Sequence, residues 1–173
     1  MELKIALAGK IASGKSTIAK ALSTHFGCDS ISFSQVLRLH LASQGASSNR
    51  TALQELGREL LDRYGNEGFL DWVIEKTPHL AWDGTLIIDG FRHPDVYRRL
   101  QERYSKTILV FCAVSDEDRI LRIMTRDSLE RETVLQLIND STEQFVDQLR
   151  DAANLIVHPS TTIDEIIAHL RKR

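Results

Sequence analysis

Gly9-Lys10-Ile11-Ala12-Ser13-Gly14-Lys15-Ser16 matches G-x-x-x-x-G-K-[ST] in full. The strand-length apolar stretch Leu3-Lys4-Ile5-Ala6-Leu7-Ala8 precedes it, and Thr17-Ile18-Ala19-Lys20-Ala21-Leu22 follows with a helical pattern. Strand, glycine loop and helix, in that order, are the setting of a polyphosphate-binding loop. The two glycines let the backbone turn tightly and point its N–H groups inward, and the helix adds unpaired N–H groups and the positive end of its dipole. The expected phosphate-binding residues are Gly9, Ile11, Ala12, Ser13, Gly14, Lys15, Ser16 and Thr17. In such a loop Lys15 reaches the β- and γ-phosphates of ATP and the Ser16 hydroxyl ligates Mg²⁺, so ATP and Mg²⁺ are the expected cofactors.

Outward from the loop, helical patterns alternate with short β-rich runs. Cys28 to Phe33 reads as a weak strand, Gln35 to Ala42 as a helix, and Gln44 to Asn49 as a polar loop. Arg50 to Tyr64 carries Leu53, Leu56, Leu60 and Leu61 on one helical face; Gly65 and Gly68 bound a break before a second helical piece, Phe69 to Lys76. Thr85 to Asp89 and Thr107 to Val114 are near-continuous apolar runs, as in parallel strands covered on both faces. Pro94 opens a helix as a favourable first residue, and Ser115 is an N-cap for a helix reaching Arg126. Arg131 to Asp151 reads as one long amphipathic helix with Val134, Ile138, Phe145 and Leu149 as its buried stripe. Ala153 to Val157 makes a fifth strand, and Thr162-x-x-Glu165 resembles a capping box for a last helix.

This alternation predicts an α/β, three-layer P-loop NTPase fold: a five-stranded parallel sheet with helices on both faces and a short helical lid. Residues 1–173 read as one domain, with an acceptor-binding helical region at about 34–80 and a lid at about 119–135. Ligand is expected at the carboxyl ends of the strands, where the glycine loop and the residues after Phe33, Ile88 and Val114 converge.

Composition sets the remaining bounds. The 173 residues are 42% hydrophobic and 27% charged, and 22 basic against 24 acidic side chains leave a net charge of −2. That balance predicts no nucleic-acid partner. No apolar run approaches about 18–20 residues, so no membrane span is expected. The start of the chain lacks a signal-peptide pattern, and Cys28 and Cys112 read as free buried thiols, which together suit a cytoplasmic location. The oligomeric state is not encoded in any motif.

Ile87-Ile88-Asp89-Gly90-Phe91-Arg92 ends the third strand, and an acid there can hold Mg²⁺ or instead cap a turn before Gly90. Asp89-Gly90-Phe91-Arg92 resembles the D-G-F-P-R signature of adenylate kinases without its proline, and Ser32-Phe33-Ser34-Gln35-Val36-Leu37-Arg38 resembles their S-T-G-D-M-L-R segment. The resemblance implies that Arg38 and Arg92 grip the phosphate of a monophosphate acceptor, a task suited to a planar guanidinium fork. Arg50-Thr51-Ala52-Leu53-Gln54-Glu55-Leu56-Gly57 resembles the R-x-x-L-Q-x-L-G segment of phage-type deoxynucleoside monophosphate kinases, which adds Arg50 and Gln54 as acceptor-binding candidates.

Arg122-Ile123-Met124-Thr125-Arg126-Asp127, with Arg131 to Ile138, resembles the lid segment of dephospho-coenzyme-A kinases, and Asp151 to Val157 resembles their A-D-x-V-I-x-N strand. Arg119, Arg122, Arg126 and Arg131 are then lid candidates, with Arg122 and Arg126 expected to meet the transferring phosphoryl group. The alternative for these side chains is a solvated helix face paired with Asp116, Asp118 and Asp127. The sequence departs from dephospho-coenzyme-A kinases at Ser32-Phe33-Ser34, where those enzymes carry a pair of aspartates.

The expected catalytic set is therefore Lys15, Asp89, Arg122 and Arg126; the substrate set is Arg38, Arg50, Gln54 and Arg92; and the metal set is Ser16 and Asp89. The implied reaction is transfer of the ATP γ-phosphoryl group to a small-molecule phosphate acceptor, most readily a nucleoside or deoxynucleoside monophosphate. A dephospho-coenzyme-A kinase is the alternative enzyme, and a nucleotide-dependent ATPase switch or binding module is the alternative of another class. Trp72 and Trp82 read as packing residues, and the histidines form no metal-binding pattern.

Overall fold

The computed structural model describes residues 3–172, with Thr142 as backbone only. Five strands form one sheet: β1 (Lys4–Ala8), β2 (Asp29–Ser32), β3 (Leu86–Phe91), β4 (Thr107–Cys112) and β5 (Leu155–Val157). Their order is β2-β3-β1-β4-β5, and every neighbouring pair is parallel. The three central strands are the apolar runs of the sequence, buried along their length apart from Gly90 and Thr107; the edge strands are shorter and partly exposed. This is the expected P-loop NTPase architecture.

Period-two alternation splits the core between the two faces. Ile5, Leu7, Ile87, Ile108 and Val110 pack against helices α1 (Lys15–Phe26) and α8 (Ile163–Leu170). Ala6, Ile88, Leu109 and Phe111 face the other way, toward α2 (Phe33–Ser43), α3 (Arg50–Lys76) and α4 (Pro94–Arg103). A third, smaller cluster joins Ile11 of the glycine loop to Ile120, Ile123 and Val134 of α5 (Asp116–Asp127) and α6 (Arg131–Ile138). Thus the loop is packed from outside the sheet by the segment read as a lid. No helix among the described residues is long and apolar enough to cross a membrane.

Several local readings hold at atomic detail. Ser115 caps α5 by accepting from the Asp118 N–H, and Thr162 and Glu165 form a reciprocal capping box on α8. The α3 helix kinks at Gly65, whose φ of 70° only glycine adopts cheaply, while Gly68 lies within the resumed helix rather than at its boundary. Both cysteines are free thiols; Cys112 is buried, but Cys28 is only half-buried.

Other readings are corrected. Residues 131–151 are not one helix: α6 stops at Ile138, Ser141–Glu143 makes a single 3₁₀ turn, and α7 is only Gln148–Asp151. Val134 and Leu149 are buried as expected, but Phe145 is 42% exposed and Val146 takes the inward position. At this break Glu143 is buried, with the Ile11 N–H and Arg92 as its partners. In β3, Asp89 pairs with Leu7 but Phe91 with Ala8, so Gly90 forms a bulge. That extra residue resets the alternation: Asp89 looks toward α1, and Phe91 packs on the opposite face with Phe33 and Tyr97.

Candidate active site

The loop from Gly9 to Gly14 leaves β1 between the ends of β3 and β4. Gly9 has a φ of 139°, and a Cβ there would lie 2.6 Å from the Cys112 carbonyl oxygen and 2.7 Å from Ser13 Oγ. Close packing against β4 therefore demands glycine. Ala12 is held at φ 62°, a conformation that costs a side-chain-bearing residue of order 1 kcal/mol or more. Its carbonyl accepts from Arg122 Nη1 at 3.1 Å, which helps to fix the turn.

Lys15 folds back over its own loop. Its ammonium donates to the Gly9 and Lys10 carbonyls at 2.7 and 2.8 Å and to Ser13 Oγ at 3.3 Å. Burial lowers the Lys15 pKa; nearby Arg92 lowers it further, while Asp89, Glu143 and Cys112 oppose the shift. Ser16 donates its hydroxyl to Asp89 Oδ2 at 2.8 Å, and Asp89 Oδ1 is buried without a hydrogen-bond partner among the described residues. A carboxylate oxygen with no donor, beside a hydroxyl at the start of a phosphate loop, is a donor set that fits a hard divalent cation. Among the described residues, no cluster of three or more His, Cys, Asp or Glu side chains could hold a metal by itself.

Two cavities meet at this point. The larger, about 800 Å³, runs past Gly14, Thr17, Leu121, Arg122 and His158. The smaller, about 430 Å³, is lined by Asp89, Arg38, Arg50, Gln54 and Arg92 together with apolar side chains of α2 and α3. Ala12, Lys15, Ser16 and Arg126 line both cavities. The sequence-predicted substrate residues thus come together at one cavity, and the loop divides it from the other.

The four lid arginines separate into two kinds. Arg126 sits at the junction in a two-pronged pair with Asp127, whose pKa is lowered chiefly by that hydrogen bond. Arg122 lines the larger cavity. Arg119, by contrast, is 2% exposed and braces the loop: its Nε donates to the Ile11 carbonyl at 2.9 Å, and its Nη1 bonds Asp116. Arg131 pairs with Glu117 on the surface. The Arg50 pKa is lowered by burial and then by nearby Arg126. Burial, aided by Arg92, lowers the pKa of His93, another residue lining the smaller cavity.

Sequence reasoning missed Glu143. It is 4% exposed; its Oε2 accepts the Ile11 N–H at 2.8 Å, and its Oε1 lies 3.1 Å from Arg92 Nη1. Its spacing placed it on the polar face of a continuous helix, so no local signal marked it. Trp72 and Trp82 pack in the interior as expected, Trp72 edge-on to His40 and Trp82 stacked on Tyr104, while Phe69 lines the smaller cavity.

Comparison with known proteins agrees with this architecture. TT1252 from Thermus thermophilus superposes with a TM-score of 0.64 at 18% identity, covering 98% of this chain and 95% of that one. A shikimate kinase from Acinetobacter baumannii, in complex with shikimate, gives 0.58 at 18% identity over 98% and 90% of the two chains. A gluconokinase from Sinorhizobium meliloti gives 0.54 at 18% identity over 97% and 89%. At these identities the likeness is one of fold. No curated protein sequence matches the chain significantly. A family described as "AAA domain" matches residues 9–144, from the first glycine of the loop to the residue after Glu143, and the chain belongs to that family.

Proposed function

We propose that the protein transfers the γ-phosphoryl group of ATP to a nucleoside or deoxynucleoside monophosphate. The observation that carries this reading is the smaller cavity: Arg38, Arg50 and Arg92 share it with Lys15 and Asp89, and Leu37, Leu53, Leu61 and Phe69 make much of its remaining lining apolar. Guanidinium groups suit an acceptor phosphate, and an apolar lining suits a flat base better than a polyhydroxylated ring. The larger cavity, entered past Gly14 and Thr17, would take ATP.

Lys15 and the loop N–H groups hold the donor phosphates, and Arg38 and Arg92 hold the acceptor. Arg122 and Arg126 meet the charge that spreads over the transferring group. Ser16 and Asp89 would hold Mg²⁺, which would supply neutralisation of the donor's negative charge. A monophosphate is already anionic and needs no base, which agrees with Ser32-Phe33-Ser34 replacing a carboxylate pair. Positioning and electrostatics then suffice for transfer. Residues 34–80 act as the acceptor-binding region and 119–135 as the lid of one domain. The fold neighbours named above include kinases of small molecules, which favours an acceptor of that kind.

The test is ADP formation from Mg-ATP with ribo- and deoxyribonucleoside monophosphates, dephospho-coenzyme A, shikimate, gluconate and no acceptor. Stimulation by a monophosphate is expected. Stimulation confined to dephospho-coenzyme A would replace this reading by the alternative enzyme, with Asp89 serving as base. Slow hydrolysis that no acceptor stimulates would replace it by a nucleotide-dependent switch.

A further inference from the structure

The segment after α6 carries three carboxylates, each paired with a different element. Asp140 Oδ2 lies 2.9 Å from Arg58 Nη1 on α3, the helix that supplies Arg50 and Gln54. Asp147 Oδ2 lies 2.8 Å from Lys10 Nζ in the glycine loop. Between them Glu143, on its 3₁₀ turn, is buried against the loop itself. Its Oε2 accepts the Ile11 N–H at 2.8 Å and lies 3.8 Å from Arg119 Nη2; its Oε1 lies 3.1 Å from Arg92 Nη1.

Each of these contacts has a distinct consequence. The Ile11 amide belongs to the loop that cradles the donor. The Arg92 guanidinium lines the smaller cavity and is itself only 30% exposed. Arg119 holds the Ile11 carbonyl from the other side. One carboxylate therefore links loop, β3 end and α5. A buried carboxylate is costly unless matched by donors and opposite charge. Oε2 has the Ile11 N–H, and Oε1, without a hydrogen-bond partner among the described residues, is matched by the Arg92 charge, so these contacts favour one arrangement of all three groups.

We propose that Glu143 is a positioning residue that fixes Arg92, relative to the phosphate loop, in the pose that grips an anionic acceptor. It acts through Arg92 and Ile11 and does not line the smaller cavity. The kinetic consequence rests on the phosphotransferase reading above; the pose of Arg92 does not.

Glu143→Gln separates the roles, because its amide oxygen still accepts the Ile11 N–H but carries no charge for Arg92. Two readouts are taken. The first is nitrogen-15 NMR of the Arg92 Nη–H groups, which face Glu143, and of the Ile11 amide in the free protein, which needs no acceptor. We expect Arg92 Nη–H exchange with water to accelerate about tenfold or more while the Ile11 amide keeps its protection. The second is steady-state kinetics with the monophosphate that responds best. Acceptor kcat/KM should fall about tenfold to a hundredfold while the KM for Mg-ATP stays within about twofold.

Unchanged Arg92 exchange in Glu143→Gln would overturn the proposal, as would equal losses on donor and acceptor sides, which mark a mere loop brace. If no monophosphate responds in the wild-type protein, the kinase reading fails but the NMR readout still decides this one. Should Glu143→Gln not fold, Arg92→Lys replaces a partly exposed side chain and keeps its charge without the fork. A shifted Glu143 carboxyl resonance in that variant supports the coupling, and an unmoved one refutes it.

Discussion

The Ser16 hydroxyl donates to Asp89 Oδ2 at 2.8 Å, joining the first turn of α1 to the bulged end of β3, while Asp89 Oδ1 is buried without a partner among the described residues. That geometry separates hydrogen bonding from charge. Asp89→Asn retains an oxygen for the Ser16 hydroxyl but cannot neutralise a cation. We expect kcat to fall about a hundredfold or more, with the Mg²⁺ requirement displaced to higher concentration. Thermal unfolding should be little changed, since the substitution is isosteric. A Mg²⁺ titration of turnover checks this; an unaltered metal requirement would remove Asp89 from the metal site.

Lys15 links the loop to pH. Burial holds its folded pKa below the ordinary lysine value of 10.5, so between the two pKa values the unfolded chain binds more protons and stability rises with pH. Donor phosphates would supply the missing counter-charge and raise that pKa again. ATP binding should therefore take up protons in the alkaline window below 10.5, measurable by calorimetry in buffers of different ionisation enthalpy. Lys15→Ala should abolish the uptake, lower turnover about a hundredfold or more, and leave the fold intact. Near wild-type activity in that variant would overturn the site assignment.

Gly9 tests how tightly the loop is packed. Gly9→Ala would place a methyl group 2.6 Å from the Cys112 carbonyl oxygen at a φ of 139°. Neither the backbone of β4 nor the loop can yield cheaply, so a loss of about 2–4 kcal/mol in unfolding free energy is expected, with loss of ATP binding. Denaturant titration of the variant with and without Mg-ATP gives the answer. Wild-type stability would mean that the loop relaxes without cost.

The parts of this site that were legible in sequence are those encoded locally. The motif from Gly9 to Ser16 fixed the loop, and apolar runs fixed the central strands, because parallel strands buried on both faces tolerate little else. Arg38, Arg50, Gln54 and Arg92 were found through segment resemblance, and the fold gathers them at one cavity. Gly65 announced its kink. Glu143 could not be read this way. Val134, Ile138, Phe145 and Leu149 recur at helical intervals, so local periodicity favours a continuous helix, whereas contacts with Ile11 and Arg92, distant in sequence, favour the broken segment observed. Arg119 shows the same limit: it shares α5 with Arg122 and both reach loop carbonyls, but Arg119 is buried away from the cavity that Arg122 lines.

The two thiols differ enough to report on the floor of the site. Burial pushes the Cys112 thiol up to about 12, with Lys15 pulling against it and Asp89 adding to it, and its backbone carbonyl is the atom that confines Gly9. Cys28 is half-buried just before β2, and its pKa is raised by desolvation and by Asp29. The thiolate is the reactive species, so at pH 8 Cys112 is nucleophilic in only about one molecule in ten thousand, and its burial blocks access as well. In native protein pulsed with iodoacetamide at pH 8, mass spectrometry should find the label on Cys28 first. Cys112 should react only when denaturant unfolds the chain, and its labelling should follow the global unfolding curve. Equal labelling of both residues in the native state would mean that β4 opens locally beneath the loop, and the rigid backing inferred for Gly9 would not exist.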